Sequence, residues 1–313
     1  MLNRRHIRIK VMQTIYAMHQ HHSDNLEKEE KFLFGSIESM QDLYLLMLSA
    51  LIEIQTKEEE YLDLVSKKHL ATKEEKNPSS KFTQNKFLHL LKNSESLLDK
   101  IDARKINNWK QNDDVILFLT DAIKESQLYI DYMSKSQSTF DEDKYFIADL
   151  FTEVIAPNDK LYEYLEDYRL TWLDDVPLVN TMILKQIKQV KEAQEEFKVT
   201  KLYKDEDDKD YAKNLFRKTV LNEVELSKQY IDKTPNWDTD RIAEIDTIIL
   251  KMAICEFLKF PSIPVKVTIN EYLEIAKEYS TPKSSIFING ILDNLIKDLK
   301  NENKLVKTGR GLL

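Results

Sequence analysis

Glycine and proline are scarce in this chain, at four and seven of 313 residues. Sheets and tight turns draw heavily on both, so their scarcity beside abundant Leu, Ile, Lys and Glu points to an all-α protein. The shortage also excludes chemistry. Phosphate-cradling loops need several glycines to bring backbone N–H groups close to a nucleotide, and neither a P-loop nor a dinucleotide fingerprint is present. The one cysteine, Cys255, forms no internal disulfide and sits in the apolar stretch ILKMAICEFL, where it reads as a small core residue in a reducing compartment. Long hydrophobic runs are missing too. The longest, LYLLMLSALIEI at 43–54, falls short of the ~18 residues a membrane helix needs and reads as a core helix. Lys10 and Gln13 interrupt the apolar stretch that a signal peptide requires, and no small-residue cleavage site follows, so the expected location is the cytoplasm, away from membrane.

Acid is absent where the chain begins. The formal net charge is −8, yet NRRHIRIKVMQTIYAMHQHH (3–22) holds Arg4, Arg5, Arg8 and Lys10 with no carboxylate before Asp24. Charges beyond a Debye length of ~8 Å are largely screened, so a local cluster of cations can neutralise phosphates on an anionic protein. On a helical projection Ile7, Val11, Ile15 and Met18 share a core-facing side, whereas Arg5, Arg8, Met12 and Tyr16 share another arc. Guanidinium forks suit phosphate, and an exposed tyrosine ring can stack on an unpaired base. By spacing alone the same residues also read as a solvated basic helix start, which is the commoner case. His19, His21 and His22 scatter over different helix faces and read as a helix end, with no metal. No paired acid–base or nucleophilic motif appears, so neither an enzyme nor a cofactor is expected.

Two polar breaks, TKEEKNPSSK (72–81) and VTKLYKDEDDKD (199–210), read as loops. Between and before them the periodicity predicts helices near 30–68, 84–105, 113–137, 144–168 and 174–197. There is also an internal echo. Residues 145–168 resemble 211–233 at an offset of 65, pairing Leu150 with Leu215, Phe151 with Phe216, Leu161 with Leu226 and, further on, Trp172 with Trp237. One residue of slippage later, TMILK (181–185) matches TIILK (247–251). Coincidence in a Leu- and Lys-rich chain and a duplicated helix pair both account for it.

In the C-terminal third, Thr239 or Asp240 can cap a helix reaching about Phe257, with Ile242, Ile245, Ile249, Met252 and Ala253 on one stripe. Glu256 projects onto that stripe and needs a partner, for which an arginine of the first helix is available. Val265, Ile269, Tyr272, Leu273 and Ala276 form the next amphipathic face, closed by Ser280, Thr281 and Pro282. The last helix buries Ile288, Ile291, Leu292, Leu295 and Leu299, and the mid-helix Gly290 points to close approach by another backbone or a ligand.

These last segments resemble a known family. DRIAEIDTIILKMAICEFLKFPSIPVKVTINEYLEIAKEY (240–279) and FINGILDNL (287–295) are similar to the C-terminal half of the NusB family of bacterial transcription antitermination factors, and RRHIRIKVMQTIYAM is similar to its arginine-rich first helix. The resemblance covers 3–22 and roughly 210–298. It implies NusB-like antiparallel helical bundles: a first helix at 1–24, a helical insertion at 25–205 that includes the possible duplicate at 144–197, a core at 206–300 and a basic flexible tail at 301–313. It further implies a non-enzymatic factor that binds boxA-type single-stranded leader RNA with the NusE ribosomal protein in the antitermination complex of RNA polymerase, as a monomer or homodimer. By position, Arg4, Arg5, Arg8, Tyr16, Phe287 and Asn289 would contact RNA, and Asp246 would face a partner. Members commonly carry a Gly-Ala-Glu-Asp type loop and a lysine before the phenylalanine, where this chain has Ser280, Thr281, Pro282, Lys283 and Ile286. Lys300, Lys304, Lys307 and Arg310 make the tail either a second RNA contact or a soluble end. A helical protein–protein adaptor without RNA affinity is the alternative. An RNA methyltransferase, to which NusB-like domains are sometimes fused, lacks its glycine-rich cofactor-binding strand and loop here.

Overall fold

The computed structural model describes residues 2–67, 78–231 and 242–308, and every regular element among them is helical. In chain order these are α1 (Arg4–Gln20), α2 (Leu26–Ser66), α3 (Lys86–Lys92), α4 (Glu95–Ala103), α5 (Asp113–Glu125), α6 (Gln127–Ser134), α7 (Phe140–Leu150), α8 (Asp159–Tyr168) and α9 (Val176–Gln189). The C-terminal set is α10 (Glu206–Leu221), α11 (Glu223–Ile231), α12 (Glu244–Lys259), α13 (Val265–Tyr279) and α14 (Ser284–Asn301). They divide into two compact units, one of Met1–Ile37 with Leu202–Leu313 and one of Glu38–Lys201.

Side-chain caps explain why long periodic stretches break into shorter helices. The 84–105 segment splits because Asn85 and Ser94 each accept hydrogen bonds from the following backbone N–H groups, opening α3 and α4 separately. Ser126 divides 113–137 into α5 and α6 in the same way. Thr139 forms a capping box with Glu142 ahead of α7, a π-helical turn (Phe151–Ile155) extends α7, and Asn158 opens α8. The 174–197 segment stops earlier than the periodicity predicts, at Gln189. Asp205 caps α10, so the second polar break contributes Glu206–Asp210 to a helix rather than a loop. Of the first polar break, 72–77 lie outside the described residues, as do Thr239 and Asp240; the described part of the helix expected there begins at Glu244.

In the Glu38–Lys201 unit, Leu150, Phe151 and Leu161 are buried, and so are their counterparts in the other unit, Leu215, Phe216 and Leu226. Ile183 and Ile249, from the TMILK and TIILK stretches, are buried likewise. Matched positions therefore carry the same packing task in each stretch. Trp172 is buried and donates its indole N–H to the Ser39 carbonyl at 2.9 Å, whereas Trp237 lies outside the described residues.

The unit containing the basic start is built around two helices buried on nearly all sides. α12 buries ten of its residues, including Cys255, whose thiol is pushed up to about 11 by burial. α1 packs against α10, α12 and α13. That coverage corrects the expected exposed arc: besides Ile7, Val11, Ile15 and Met18, the helix buries Arg8 and Met12. At Gly290 a built Cβ meets nothing within 4 Å, so no described backbone approaches it closely, and the position faces solvent. The tail docks over part of its length. Lys307 Nζ donates to the carbonyls of Glu256 and Phe260 at 2.9 and 3.0 Å, capping the negative end of α12, and the Thr308 N–H reaches the Pro261 carbonyl at 3.0 Å. No helix among the described residues is long and apolar enough to cross a membrane.

Candidate nucleic-acid interface

Helix α1 begins with cations at the end where its backbone dipole is already positive. Asn3 caps it through the His6 N–H at 3.0 Å, and its first turn holds no acid. Such a terminus calls for anions, from the protein or from a ligand. Three carboxylates from other helices answer. Arg4 Nε lies 3.3 Å from Asp208, Arg5 donates twice to Glu271 at 2.9 and 3.0 Å, and Arg8 donates twice to Glu256 at 2.7 and 3.0 Å.

The three pairs differ in burial, and burial decides what each arginine can do. Arg8 is 2% exposed and Glu256 fully buried. Glu256 further accepts from Thr268 Oγ1 at 2.9 Å, from the Tyr272 hydroxyl at 3.0 Å and from the Tyr211 hydroxyl, so both oxygens are fully engaged. Burial opposes the Arg8 charge, but the adjacent carboxylate overrides it and holds the guanidinium pKa above the ordinary arginine value. Burial first, and then Glu256, raise the two tyrosine pKa values well above normal. The ion pair expected for Glu256 is therefore present, and it is made by Arg8. Arg8, expected at the RNA contact, is thus paired inside the fold and reaches the groove beside Arg4 and Arg5 with almost no exposed surface.

Arg4 and Arg5 remain 44% and 39% exposed. With Asn3, Pro264, Val267 and Glu271 they line an open groove at the start of α1. Arg4 also lies over the Tyr211 ring, 5.0 Å from its centroid. The Arg5 pKa is raised, chiefly by its hydrogen bonds to Glu271, with Glu274 and Glu278 adding to the field. His6 beside them is driven down to about 4, by burial first and by Arg5 second, so it is neutral near pH 7. Sequence reading missed the groove's far wall. Pro264 and Val267 carry no local signal of this role, and only packing brings them opposite α1.

The other expected contacts lie elsewhere. Tyr16 is exposed, three turns along α1 from the arginines. Phe287 is half-buried in a separate cleft with Ile242, Thr281 and Lys283. Asn289 donates to Asp293 at 3.1 Å on α14. Asp246 lines the same cleft as Phe287 but is only 5% exposed, and its two oxygens accept from Ser280 and Ser284 at 2.6 and 2.7 Å, tying α12 to the start of α14. His19, at the far end of α1, approaches Glu223 at 3.1 Å and Glu244 at 3.0 Å. Among the described residues no group of His, Cys, Asp or Glu side chains is arranged to hold a metal ion.

An all-helical unit with an arginine-lined groove at one helix start has the form of a binding protein. Comparison with known proteins makes the class particular. The model of the NusB family matches residues 178–297, beginning in α9 and ending in α14. The chain is 46% identical over 113 residues to the transcription antitermination protein NusB of Salinibacter ruber, covering 36% of this chain and 70% of that protein. It is 40% identical over 105 residues to NusB of Chloroherpeton thalassium, covering 34% and 50%. With NusB of Clostridium kluyveri it shares 44% identity over 93 residues, covering 30% and 60%. No solved structure matches. The chain belongs to the NusB family.

Proposed function

We propose that this protein is a transcription antitermination factor that binds boxA-type single-stranded leader RNA together with the NusE ribosomal protein. One observation carries the reading: most of the family match to proteins named for antitermination, from Leu202 onward, shares a compact unit with two half-exposed arginines on an open groove. Arg4 and Arg5 each exchange a carboxylate for a phosphate when RNA binds. Asp208 and Glu271 hold the forks in place until then, at the cost of competing with the ligand. Tyr16 supplies a stacking surface further along the helix, and Phe287 and Asn289 on α14 are the second pair of contacts.

Arg4→Ala with Arg5→Ala is expected to weaken binding of a short boxA-type RNA and to lower the salt slope by about two phosphate contacts. Titrations at several salt concentrations measure both. An unchanged affinity and slope would remove the arginines from the interface.

A second reading is favoured by the carboxylate on every one of the three arginines: a helical adaptor of the transcription or ribosome-assembly machinery that binds NusE without its own RNA affinity. Recovery of a complex with NusE that holds no boxA RNA, at concentrations where the ternary complex forms for shorter relatives, supports the adaptor.

A further inference from the structure

The chain continues past its last helix and past the residues matched by the family model, 178–297. α14 stops at Asn301, and Asn303 takes the left-handed backbone, with a φ of 55°, that asparagine tolerates better than most residues. The Asn303 N–H bonds to the Lys300 carbonyl at 3.1 Å and the Lys304 N–H to the Leu299 carbonyl at 2.9 Å, the paired hydrogen bonds that close a helix end. The tail then meets the break between α12 and α13.

Lys307 is the centre of that contact. Its Nζ donates to the carbonyls of Glu256 and Phe260 at 2.9 and 3.0 Å, which uses two of its three donors. Burial lowers the Lys307 pKa, with Glu256 opposing. The same carbonyls organise the break itself, since the Phe260 N–H bonds to Glu256 at 3.3 Å and the Ile263 N–H to Phe260 at 3.2 Å. One residue on, the Thr308 N–H reaches the Pro261 carbonyl at 3.0 Å.

This break borders the arginine groove in two ways. Ser262, Ile263 and Pro264, which follow it directly, line the groove with Arg4 and Arg5. The Phe260 ring meets the Tyr211 ring near edge-on, with centroids 5.6 Å apart, and Arg4 lies over the Tyr211 ring. A continuous set of contacts therefore runs from Lys307 through Phe260 and Tyr211 to the Arg4 guanidinium.

We propose that Lys307 is a positioning residue for RNA: by holding the Glu256 and Phe260 carbonyls it sets the 260–264 wall of the groove and, through Phe260 and Tyr211, the place where Arg4 meets a phosphate. The inference rests on the reading of Arg4 and Arg5 as the RNA-binding groove. Lys307 acts on affinity without touching the ligand, because its ammonium is spent on backbone carbonyls. A guanidinium fork is strong only when aligned with its anion, so a shift of the wall or of Tyr211 reaches binding through geometry.

The test titrates a fluorescein-labelled boxA-type RNA into the full-length protein at several salt concentrations, with circular dichroism confirming that each variant is folded. Lys307→Met keeps the stem and removes the donors. It is expected to weaken binding by about 3- to 10-fold, the equivalent of one net hydrogen bond, with the salt slope of wild type because no phosphate contact is lost. Lys304→Met removes the same charge from the same tail, where Lys304 pairs with Glu302 at 2.7 Å, and is expected to change affinity less than about 2-fold. Unchanged affinity in folded Lys307→Met, while Arg4→Ala with Arg5→Ala weakens binding, overturns the positioning role and leaves the groove standing. A slope lowered by about one contact in Lys307→Met would make Lys307 a phosphate ligand, and equal weakening by Lys304→Met would make the effect one of tail charge; either overturns the proposal. Wild-type affinity and slope in Arg4→Ala with Arg5→Ala would remove the groove, and this inference with it.

Discussion

Helix α1 is pinned at both ends by carboxylates from the C-terminal helices, and the two pins differ in kind. At the start Arg8 meets Glu256 in a dry site where five hydrogen bonds converge on one carboxylate. At the end His19 sits between Glu223 and Glu244, and all three stay part-exposed. The same chemistry, cation on carboxylate, thus serves two ends. The buried pin fixes the position of α1 and leaves no charge for a ligand; the exposed one is set by solvent conditions. Arg4 and Arg5 fall between, paired but open to water.

The comparison breaks first at the buried site. Glu256→Ala is expected to cost about 3–5 kcal/mol, because Arg8 would keep its charge in a dry site with only the part-exposed Glu271, 3.7 Å away, as counter-ion. Urea unfolding measures it. A loss below about 1 kcal/mol would place Glu256 among the surface pairs and return Arg8 to the list of available cations. Glu256→Gln, which keeps the shape and can still accept from the hydroxyls, separates the lost charge from the lost volume.

Much of this was legible in one dimension. Scarce glycine and proline gave an all-helical chain, and the stripe carrying Glu256 demanded a partner that the arginines of α1 were free to supply. What failed was the inference from a helical projection to exposure. A projection shows which residues share a face but not how many neighbours cover the helix, and α1 is covered by α10, α12 and α13. Arg8 and Met12 were therefore misplaced, while Arg5 and Tyr16, nearer the ends, kept their exposure. The burial of Asp246 was hidden for a related reason. The two serines that occupy it come from beyond the next helix, and no local pattern announces hydroxyl partners 34 and 38 residues away. Helix breaks at Ser94, Ser126 and Asn158 were in principle readable as caps, but the apolar period continues across them and masks the signal.

Gly290 sharpens the contrast from the other side. Its space is open and its position solvent-facing, so Gly290→Ala is expected to stabilise the fold by about 1 kcal/mol, the helix propensity gained. Thermal unfolding checks this. If the same substitution lowers boxA RNA affinity, the glycine is kept for close approach of the ligand, and α14 joins the interface.

At the exposed pin the variable is pH. Both ring nitrogens of His19 face carboxylate oxygens, an arrangement satisfied when both carry protons. Its pKa is raised, chiefly by the hydrogen bond to Glu223, and Glu223 is held down at about 2, chiefly by His19. The histidine therefore contributes stability that is complete below its unfolded value near 6.5 and lost as pH rises through its folded value. Glu223 contributes above its own unfolded value near 4.5, and that contribution is lost as pH falls toward 2. The stability difference between wild type and His19→Gln is expected to be greatest near pH 5–6 and to shrink toward pH 8. A difference independent of pH would mean that the imidazole acts by packing alone.

The smallest effect on stability belongs to Arg5. Its pair with Glu271 is bidentate but part-exposed, and such pairs contribute about 0–1 kcal/mol once solvent screening is counted. Arg5→Ala should therefore leave unfolding nearly unchanged, in contrast to any change at Arg8. If Arg5→Ala destabilised the fold by more than about 2 kcal/mol, Arg5 would belong with Arg8 as a structural cation. The groove would then keep only Arg4 for phosphate, and loss of RNA binding in an Arg5 variant would report unfolding rather than a missing contact.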